Sequence, residues 1–267
     1  MNKRENPWAS LGWLALGSPL ALLILLAVVA LVMATPPSLF WNQLQEPDTR
    51  QAVVISLRTT LISIAVIVLF GTCLAMAVRH SKPAVASALE LFITMPAIIP
   101  PSVAGITLLL AFGRQGLLGG ALHTSGIYLA FTPTAVVMAQ VFVATPFFVR
   151  EAITAFRSLD PVLLEAATLD GASGSAMARS IVLPITLPFL ATGAVLAWAR
   201  ALGEFGATIL FAGNLKGVTQ TMPLAIYLGF ESDLDQAKAL ALLLLILAVV
   251  VLVLVRVVLG RRLAFAH

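Results

Sequence analysis

The chain has 267 residues, of which 60% are hydrophobic and 10% are charged, and its mean hydropathy is +1.02. Soluble domains carry about 25% charged residues, so this composition excludes an ordinary soluble domain. The net charge of +4 is spread along the chain without a basic cluster, which excludes a nucleic-acid-binding surface. Cys73 is the single cysteine, which excludes a disulfide framework and a cysteine-based metal site.

Long apolar runs predict six membrane spans, because each can cross about 30 Å of hydrocarbon at about 1.5 Å per residue. They cover residues 11–34, 52–78, 84–112, 127–149, 185–212 and 237–259. The predicted fold class is therefore an all-α membrane protein with six transmembrane helices. We expect one transmembrane domain over residues 1–267, with an N-terminal helix at 11–34 and a core at 52–259.

The first apolar run has a rival interpretation as a secretory signal peptide. It is longer than the apolar core of a typical signal, about 7–15 residues, so we predict a retained first helix. Pro36 and Pro37 are expected to end that helix, because proline lacks the backbone N–H and disfavours helix at the residue before it. The segment 38–51 is then predicted to be an external loop.

Three prolines fall within six residues of the third run, in the stretch Met95–Gly105. Proline removes a hydrogen-bond donor and clashes with the preceding turn, so the helix must bend or break there. Discontinuous helices in transporters occur at gates and substrate sites, which makes the hydroxyls of Ser102 and Thr107 candidates for a translocation path. The alternative is a bend that only shapes the bundle, with each hydroxyl bonded to a freed carbonyl.

A polar segment at 161–184 separates the fourth and fifth runs. Asp160 is a good N-cap residue, and Pro161 fits the first helical position. Gly171 can adopt the left-handed conformation that ends a helix, so we predict a helix from Pro161 to Asp170 followed by a turn. Prolines at the end of the segment are expected to break or kink the chain where it re-enters the membrane; they are Pro184 and Pro188.

The fifth run contains two charged residues, Arg200 and Glu204. A helix that begins near Pro184 places Arg200 about 24 Å into the membrane, where a charge is costly and usually faces protein or a wet cavity. The two side chains are four residues apart, so they can pair and share a face with Thr208. We predict that this face lines the translocation path; the alternative is an ion pair that only fixes helix packing.

Basic residues predict the orientation, because cytoplasmic loops of membrane proteins are enriched in Lys and Arg. With the N-terminus inside, ten of the sixteen basic residues are cytoplasmic: Lys3, Arg4, Arg79, Lys82, Arg150, Arg157, Arg179, Arg256, Arg261 and Arg262. Five are external: Arg50, Arg58, Arg114, Lys216 and Lys238. Both termini and the 161–184 segment are therefore predicted to be cytoplasmic.

The 161–184 segment also carries a resemblance to a known family. Glu165-Ala166-Ala167, three residues, Gly171, nine residues and Ile181-Val182-Leu183-Pro184 is similar to the EAA loop of type I ABC-importer permeases. In that family the loop folds as a cytoplasmic coupling helix that docks into a groove on an ATPase subunit. The resemblance implies ATPase-coupling roles for Glu165, Ala166, Ala167, Asp170 and Gly171. An ordinary loop between two membrane helices is the alternative.

Further segments resemble the molybdate, tungstate and sulfate branch of this family: residues 100–105, 199–208, 211–214 and 223–227. Residues 110–119 and 231–235 are most similar to molybdate permeases, and the whole resemblance covers residues 52–258. It implies a homodimer in a bacterial or archaeal plasma membrane, two cytoplasmic ABC ATPase subunits and an external oxyanion-binding protein. The implied substrate is molybdate or tungstate, with sulfate or thiosulfate as the alternative.

Missing motifs fit a transport subunit that is not an enzyme. The sequence has no Gly-x-x-x-x-Gly-Lys-Ser/Thr loop, so ATP and its Mg²⁺ are expected on the partner ATPase, and we predict no cofactor, metal or catalytic residue in this chain. An ion-driven secondary transporter is the rival class. It would need acidic residues within the membrane, and only Glu204 and Glu90 qualify.

Overall fold

The computed structural model describes the backbone of residues 7–263 and the side chains of Trp13 and residues 15–253. Over this range the chain is helical and contains no strand, which confirms the all-α prediction. The helices are α1 (Pro7–Met33), α2 (Pro37–Gln45), α3 (Pro47–His80), α4 (Pro83–Ile98), α5 (Pro101–Phe112), α6 (Gly119–Thr124), α7 (Pro133–Arg157), α8 (Pro161–Leu169), α9 (Gly174–Met177), α10 (Leu183–Leu202), α11 (Gly206–Phe211), α12 (Met222–Ser232) and α13 (Leu234–Leu263). A π-helical turn at Ala178–Val182 joins α9 to α10.

Proline is the first residue of six helices, namely α2, α3, α4, α5, α7 and α8. It suits this position because its φ angle is already helical and the first N–H of a helix has no intrahelical partner. The segment 38–51, predicted to be an external loop, is for this reason mostly helical, which corrects the prediction. Pro37 lies shortly after the end of α1 and is itself the first residue of α2. A single residue, Glu46, then separates α2 from α3.

Within the part of the chain that the structure describes, five helical segments are long and apolar enough to cross a membrane: Ala15–Met33, Pro47–His80, Pro133–Arg157, Gly174–Leu202 and Leu234–Val253. The sixth is the pair α4 and α5, which is bent by 112° where Ile99 and Pro100 adopt extended backbone. The bend falls within the predicted proline cluster. By length and apolar character, the described residues therefore hold up to six membrane-spanning segments, as predicted, when the broken pair is counted as the third.

The fifth span differs from the prediction at both ends. Towards the coupling segment, the helix continues back to Gly174 through the π-helical turn. Leu183 N–H donates to the Ala178 carbonyl, five residues back, immediately before Pro184, which has no N–H; the proline produces a π-turn and not a break. At the other end, Gly203–Phe205 interrupt the predicted single helix between α10 and α11.

Helix α7 is the centre of the bundle, and α3, α4 and α10 pack against it. Phe148 on α7 is fully buried within the largest apolar cluster. Two glycines allow the neighbouring helices to come this close. A Cβ atom at Gly71 of α3 would lie 2.8 Å from Cδ1 of Phe148, and one at Gly193 of α10 would lie 3.1 Å from its carbonyl oxygen. Small residues at helix contacts are the usual route to close packing in membranes.

Candidate coupling and translocation site

Local interactions define helix α8 at both ends. The Asp160 side chain accepts a hydrogen bond from Val162 N–H at 2.9 Å, and Pro161 takes the first helical position. Asp170 follows the last helical residue, and Gly171 adopts a left-handed φ of +78°. The Ala172 N–H then donates to the Ala167 carbonyl at 3.0 Å, which closes the C-terminal turn. The predicted helix and its stop at Gly171 are confirmed to within one residue.

The outer surface of α8 is open in this chain and partly apolar. Leu164 packs against the main core cluster and attaches the helix to the bundle. Val162 and Leu169 are 69% and 88% exposed, and no residue of α8 is buried. Among the predicted coupling residues, Glu165, Ala166, Asp170 and Gly171 are exposed and Ala167 is half-buried. Exposed large apolar side chains on a short helix are the surface expected of a docking element.

Arg200 and Glu204 form the predicted ion pair. Nη1 of Arg200 lies 2.6 Å from Oε2 of Glu204. The helix that was expected to hold both residues is not continuous, because Glu204 lies beyond the end of α10. Its second oxygen, Oε1, accepts the Ala207 N–H at 2.7 Å and so caps the start of α11. The Glu204 side chain is 1% exposed, whereas that of Arg200 is 27% exposed.

The structure brings the proline-rich stretch Met95–Gly105 into contact with the segment that follows the Arg200–Glu204 pair, because α5 packs against α11. A Cβ atom at Gly105 would lie 2.8 Å from the carbonyl oxygen of Ala207. One at Gly206 would lie 2.6 Å from Cβ of Pro101. Both helices therefore begin side by side and run in the same direction, and each depends on a glycine at the contact.

The three predicted hydroxyls occupy different surroundings. Ser102 is exposed at the start of α5, and its backbone nitrogen would lie 3.4 Å from a Cβ atom at Gly206. Thr107 is exposed, but its hydroxyl donates to the Ala104 carbonyl at 2.8 Å. Thr208 is fully buried on α11, with no hydrogen-bond partner for its hydroxyl. The structure therefore places Ser102 beside the α10–α11 break and encloses Thr208 in this conformation, and the assignment of all three to a path stays a prediction.

A buried polar network between α3 and α7 is absent from the predicted sites. Gln140 on α7 accepts a hydrogen bond from Ser63 at 2.9 Å and donates to Thr59 at 3.2 Å. Ser56 accepts the Met222 N–H at 2.7 Å and so caps α12 from another helix. The sequence held a signal for this network, because Ser56, Thr59 and Ser63 recur at helical spacing within an apolar run.

Comparison with known proteins agrees with this architecture. The family model described as "Binding-protein-dependent transport system inner membrane component" matches residues 67–265. The Mycobacterium tuberculosis molybdenum transport system permease protein ModB is 40% identical over 215 residues, covering 80% of this chain and 81% of the relative. The Escherichia coli sulfate transport system permease protein CysW is 36% identical over 187 residues, covering 70% and 64% respectively.

Among solved structures, a bacterial ABC transporter involved in the import of the acidic polysaccharide alginate has the same fold. Its matching chain superposes with a TM-score of 0.72 over 96% of this chain and 99% of its own length, at 18% identity. That identity is low, so the likeness establishes the fold alone. The family match and the 40% identical relative establish more. The chain belongs to the family of inner membrane components of binding-protein-dependent transport systems, and it is a transport subunit and not an enzyme.

Proposed function

We propose that this chain is the permease of an ABC importer that carries molybdate or tungstate across the plasma membrane. In this proposal it works as a homodimer with both termini in the cytoplasm, together with two ATPase subunits and an external oxyanion-binding protein. The observation that carries the proposal is α8, a helix capped at both ends that presents exposed apolar side chains beside the bundle. Such a surface is suited to a partner that supplies energy from outside the chain.

Chain connections and helix contacts together link α8 to the predicted path. Helix α8 lies in sequence between α7 and α10, which pack together along the bundle around Phe148 and Gly193. Helix α10 ends at the Arg200–Glu204 pair, and Glu204 caps α11, which packs on α5. Motion of α8 would therefore be passed to the bend between α4 and α5. ATP then acts by stabilising one of two arrangements of this series.

The predicted path lining suits transient passage of an oxyanion. Arg200 is partly exposed and supplies a positive charge, which Glu204 partly offsets. Ser102 lies close to Gly206, two residues after Glu204, and would supply a hydroxyl on this side of the break. A second copy would double the set around the dimer axis. Limited positive charge matters because a deep cationic trap would hold the anion, whereas an apolar bore would not admit it.

The similarity to molybdenum permeases supports molybdate or tungstate as the substrate, and the 36% identity to a sulfate permease makes sulfate the second candidate.

An ion-driven mechanism has no support from the two acidic residues considered for it. Glu204 is paired with Arg200 and caps α11, and Glu90 is paired with Arg157. Neither carboxylate is left to carry a coupling ion.

Reconstitution tests the proposal. The permease is purified with its ATPase, placed in proteoliposomes, and supplied in turn with molybdate-, tungstate-, sulfate-, sugar- and amino-acid-loaded binding proteins. We expect ATP hydrolysis and uptake with molybdate or tungstate. Stimulation by a sugar- or amino-acid-loaded binding protein, with none by the oxyanion-loaded ones, would overturn the proposal. Glu165→Lys should abolish uptake and ATPase co-purification while leaving membrane insertion intact, because it reverses the charge of the docking surface.

A further inference from the structure

A groove between α4 and α7 begins at a cluster of charged residues. Its polar end is a cavity of about 280 Å³ lined by Glu90 and Thr94 of α4 and by Arg150 and Arg157 of α7. Both terminal nitrogens of the Arg157 guanidinium, Nη1 and Nη2, donate to the Glu90 carboxylate. Arg150 is exposed and has no acidic partner within 4.0 Å among the side chains that the structure describes. Two arginines against one glutamate leave this end with a formal charge of +1.

An apolar cavity of about 530 Å³ lies next to this polar end, between α3, α4, α5 and α7. Its walls include Phe92, Leu108, Val141 and Phe142. Ile93 lines both cavities, so the polar and apolar ends adjoin on α4. On α7 the apolar end comes earlier in the helix and the arginines come later, so the groove follows the helix axis into the membrane.

We propose that this groove binds one anionic phospholipid. Its phosphate lies against Arg150 and Arg157, and one acyl chain runs past Ile93 into the apolar cavity. Basic pockets between membrane helices on the cytoplasmic side recognise acidic headgroups, and an acyl chain that fills the apolar cavity makes van der Waals contacts that its walls would otherwise lack. A free inorganic anion would occupy the smaller, charged end and leave the larger apolar end unfilled.

The lipid site is independent of the transported substrate and of the ATPase. Only its leaflet rests on the proposed orientation, which places Arg150 and Arg157 on the cytoplasmic side. Failure of the oxyanion assignment would therefore leave this inference standing. The binding test measures lipid retention directly, so a negative result would leave the transport proposal unchanged.

The test uses the complete permease–ATPase complex, reconstituted in vesicles of phosphatidylcholine and phosphatidylglycerol and extracted again in a mild detergent. Native mass spectrometry then counts the lipids that each complex retains. We expect wild type to retain phosphatidylglycerol in preference to phosphatidylcholine. Arg150→Gln should lower phosphatidylglycerol retention about fivefold, the effect typical of losing one basic residue near a membrane surface. Val141→Phe should lower retention by filling the apolar end.

Two matched variants control for general damage. Arg150→Lys keeps the charge and should keep the lipid, which separates a lost headgroup contact from a destabilised fold. Arg114→Gln makes the same neutral replacement at an exposed arginine away from the groove and should leave retention unchanged. The melting temperature of every variant complex is measured alongside, so that retention is compared only between folded samples.

Four results would overturn the inference. Equal retention of the two lipids in wild type would show that no selective lipid site exists, and so would phosphatidylglycerol retention that Arg150→Gln and Val141→Phe leave unchanged. Displacement of the lipid by glycerol phosphate, which carries the headgroup anion without acyl chains, would show a site for a free anion. Disulfide formation between two copies of a Phe92→Cys variant in a Cys73→Ser background would show that a second copy covers the groove.

Discussion

Oε1 of Glu204 lies 2.7 Å from the backbone nitrogen of Ala207, and this hydrogen bond ties the end of α10 to the start of α11. The other carboxylate oxygen pairs with Arg200 at 2.6 Å. One buried side chain therefore joins the two sides of the break in the fifth span and pairs with Arg200. The break is held by a specific pair of contacts, which makes it accessible to mutation.

Removing the Glu204 carboxylate should destabilise the protein. Glu204→Ala leaves the Ala207 N–H and the Arg200 guanidinium without their partner, and breaking one side of a buried pair typically costs about 3–5 kcal/mol. Glu204→Gln keeps an oxygen that can accept from Ala207, so its loss should be smaller. Unfolding of the purified complex in detergent measures both. Equal stability of Glu204→Ala and wild type would contradict the capping role.

The double variant Arg200→Met with Glu204→Gln tests whether the ion pair contributes to the translocation path or only to helix packing. It removes both charges while keeping the cap on α11, so we expect near-normal stability. Because the Arg200 side chain is 27% exposed, we expect slower oxyanion uptake in proteoliposomes. Uptake equal to wild type in the stable double variant would assign the pair to packing alone.

Glycines at the α5–α11 contact should not tolerate a methyl group. At Gly105 the new Cβ atom would meet the Ala207 carbonyl at 2.8 Å, and at Gly206 it would meet Pro101 Cβ at 2.6 Å. Backbone and proline atoms cannot rotate away, so Gly105→Ala and Gly206→Ala should each cost about 1–3 kcal/mol. Gly120→Ala is the matched control, because nothing lies within 4 Å of its Cβ position. Equal melting temperatures for all three would disprove the close approach.

The stop signal of α8 should depend on backbone conformation and not on space. A Cβ atom at Gly171 meets nothing within 4 Å, but its φ of +78° is left-handed. Gly171→Val should therefore distort the turn at a cost of about 1–2 kcal/mol and abolish ATP-driven uptake while the protein still inserts. Gly171→Asn should keep part of the uptake, because asparagine tolerates this conformation.

Gly174→Ala controls for the Gly171 variants, since its Cβ position is equally open and its φ is not left-handed. It should transport normally. Uptake by Gly171→Val at the wild-type rate would remove the turn from the coupling mechanism.

The proposed orientation can be tested with single cysteines. Cys73 is exposed, so it is first replaced by serine. Cysteines at Ser38 and Lys216 should react with an impermeant reagent added outside, and one at Ser173 only after the membrane is permeabilised. Labelling of Ser173→Cys in intact cells would reverse the orientation and remove α8 from the reach of a cytoplasmic ATPase.

Features fixed by neighbouring residues could be predicted from the sequence. The cap at Asp160, the start of α8 at Pro161 and the left-handed stop at Gly171 all follow from local backbone chemistry, and the structure confirms them. The bend between α4 and α5 followed from proline in the same way. The ATPase-coupling roles and the single-domain organisation stay predictions.

Features that depend on distant contacts could not be predicted. Gly105 and Ala207 are about a hundred positions apart, and nothing local to either indicates that their helices touch. The break after Leu202 was missed because glycine is tolerated inside membrane helices and the cap that stabilises the break is the side chain of Glu204. The helical spacing of the hydroxyl side chains on α3 could be recognised in the sequence, but the contact of Ser63 with Gln140 on α7 could not be predicted.

The length of α3 affects how a binding partner contacts the end of the molecule that carries Asp48. Its 34 residues extend for about 51 Å, whereas the hydrocarbon layer is about 30 Å thick. Hiding the whole helix would need a tilt of about 54°, beyond the range of about 0–40° seen for membrane helices. Part of α3 therefore lies outside the hydrocarbon layer. The polar first turns are suited to that position, and there Asp48 is held by Lys216 at 2.6 Å. A partner landing there meets a surface that is already ordered, so little conformational entropy is lost on contact.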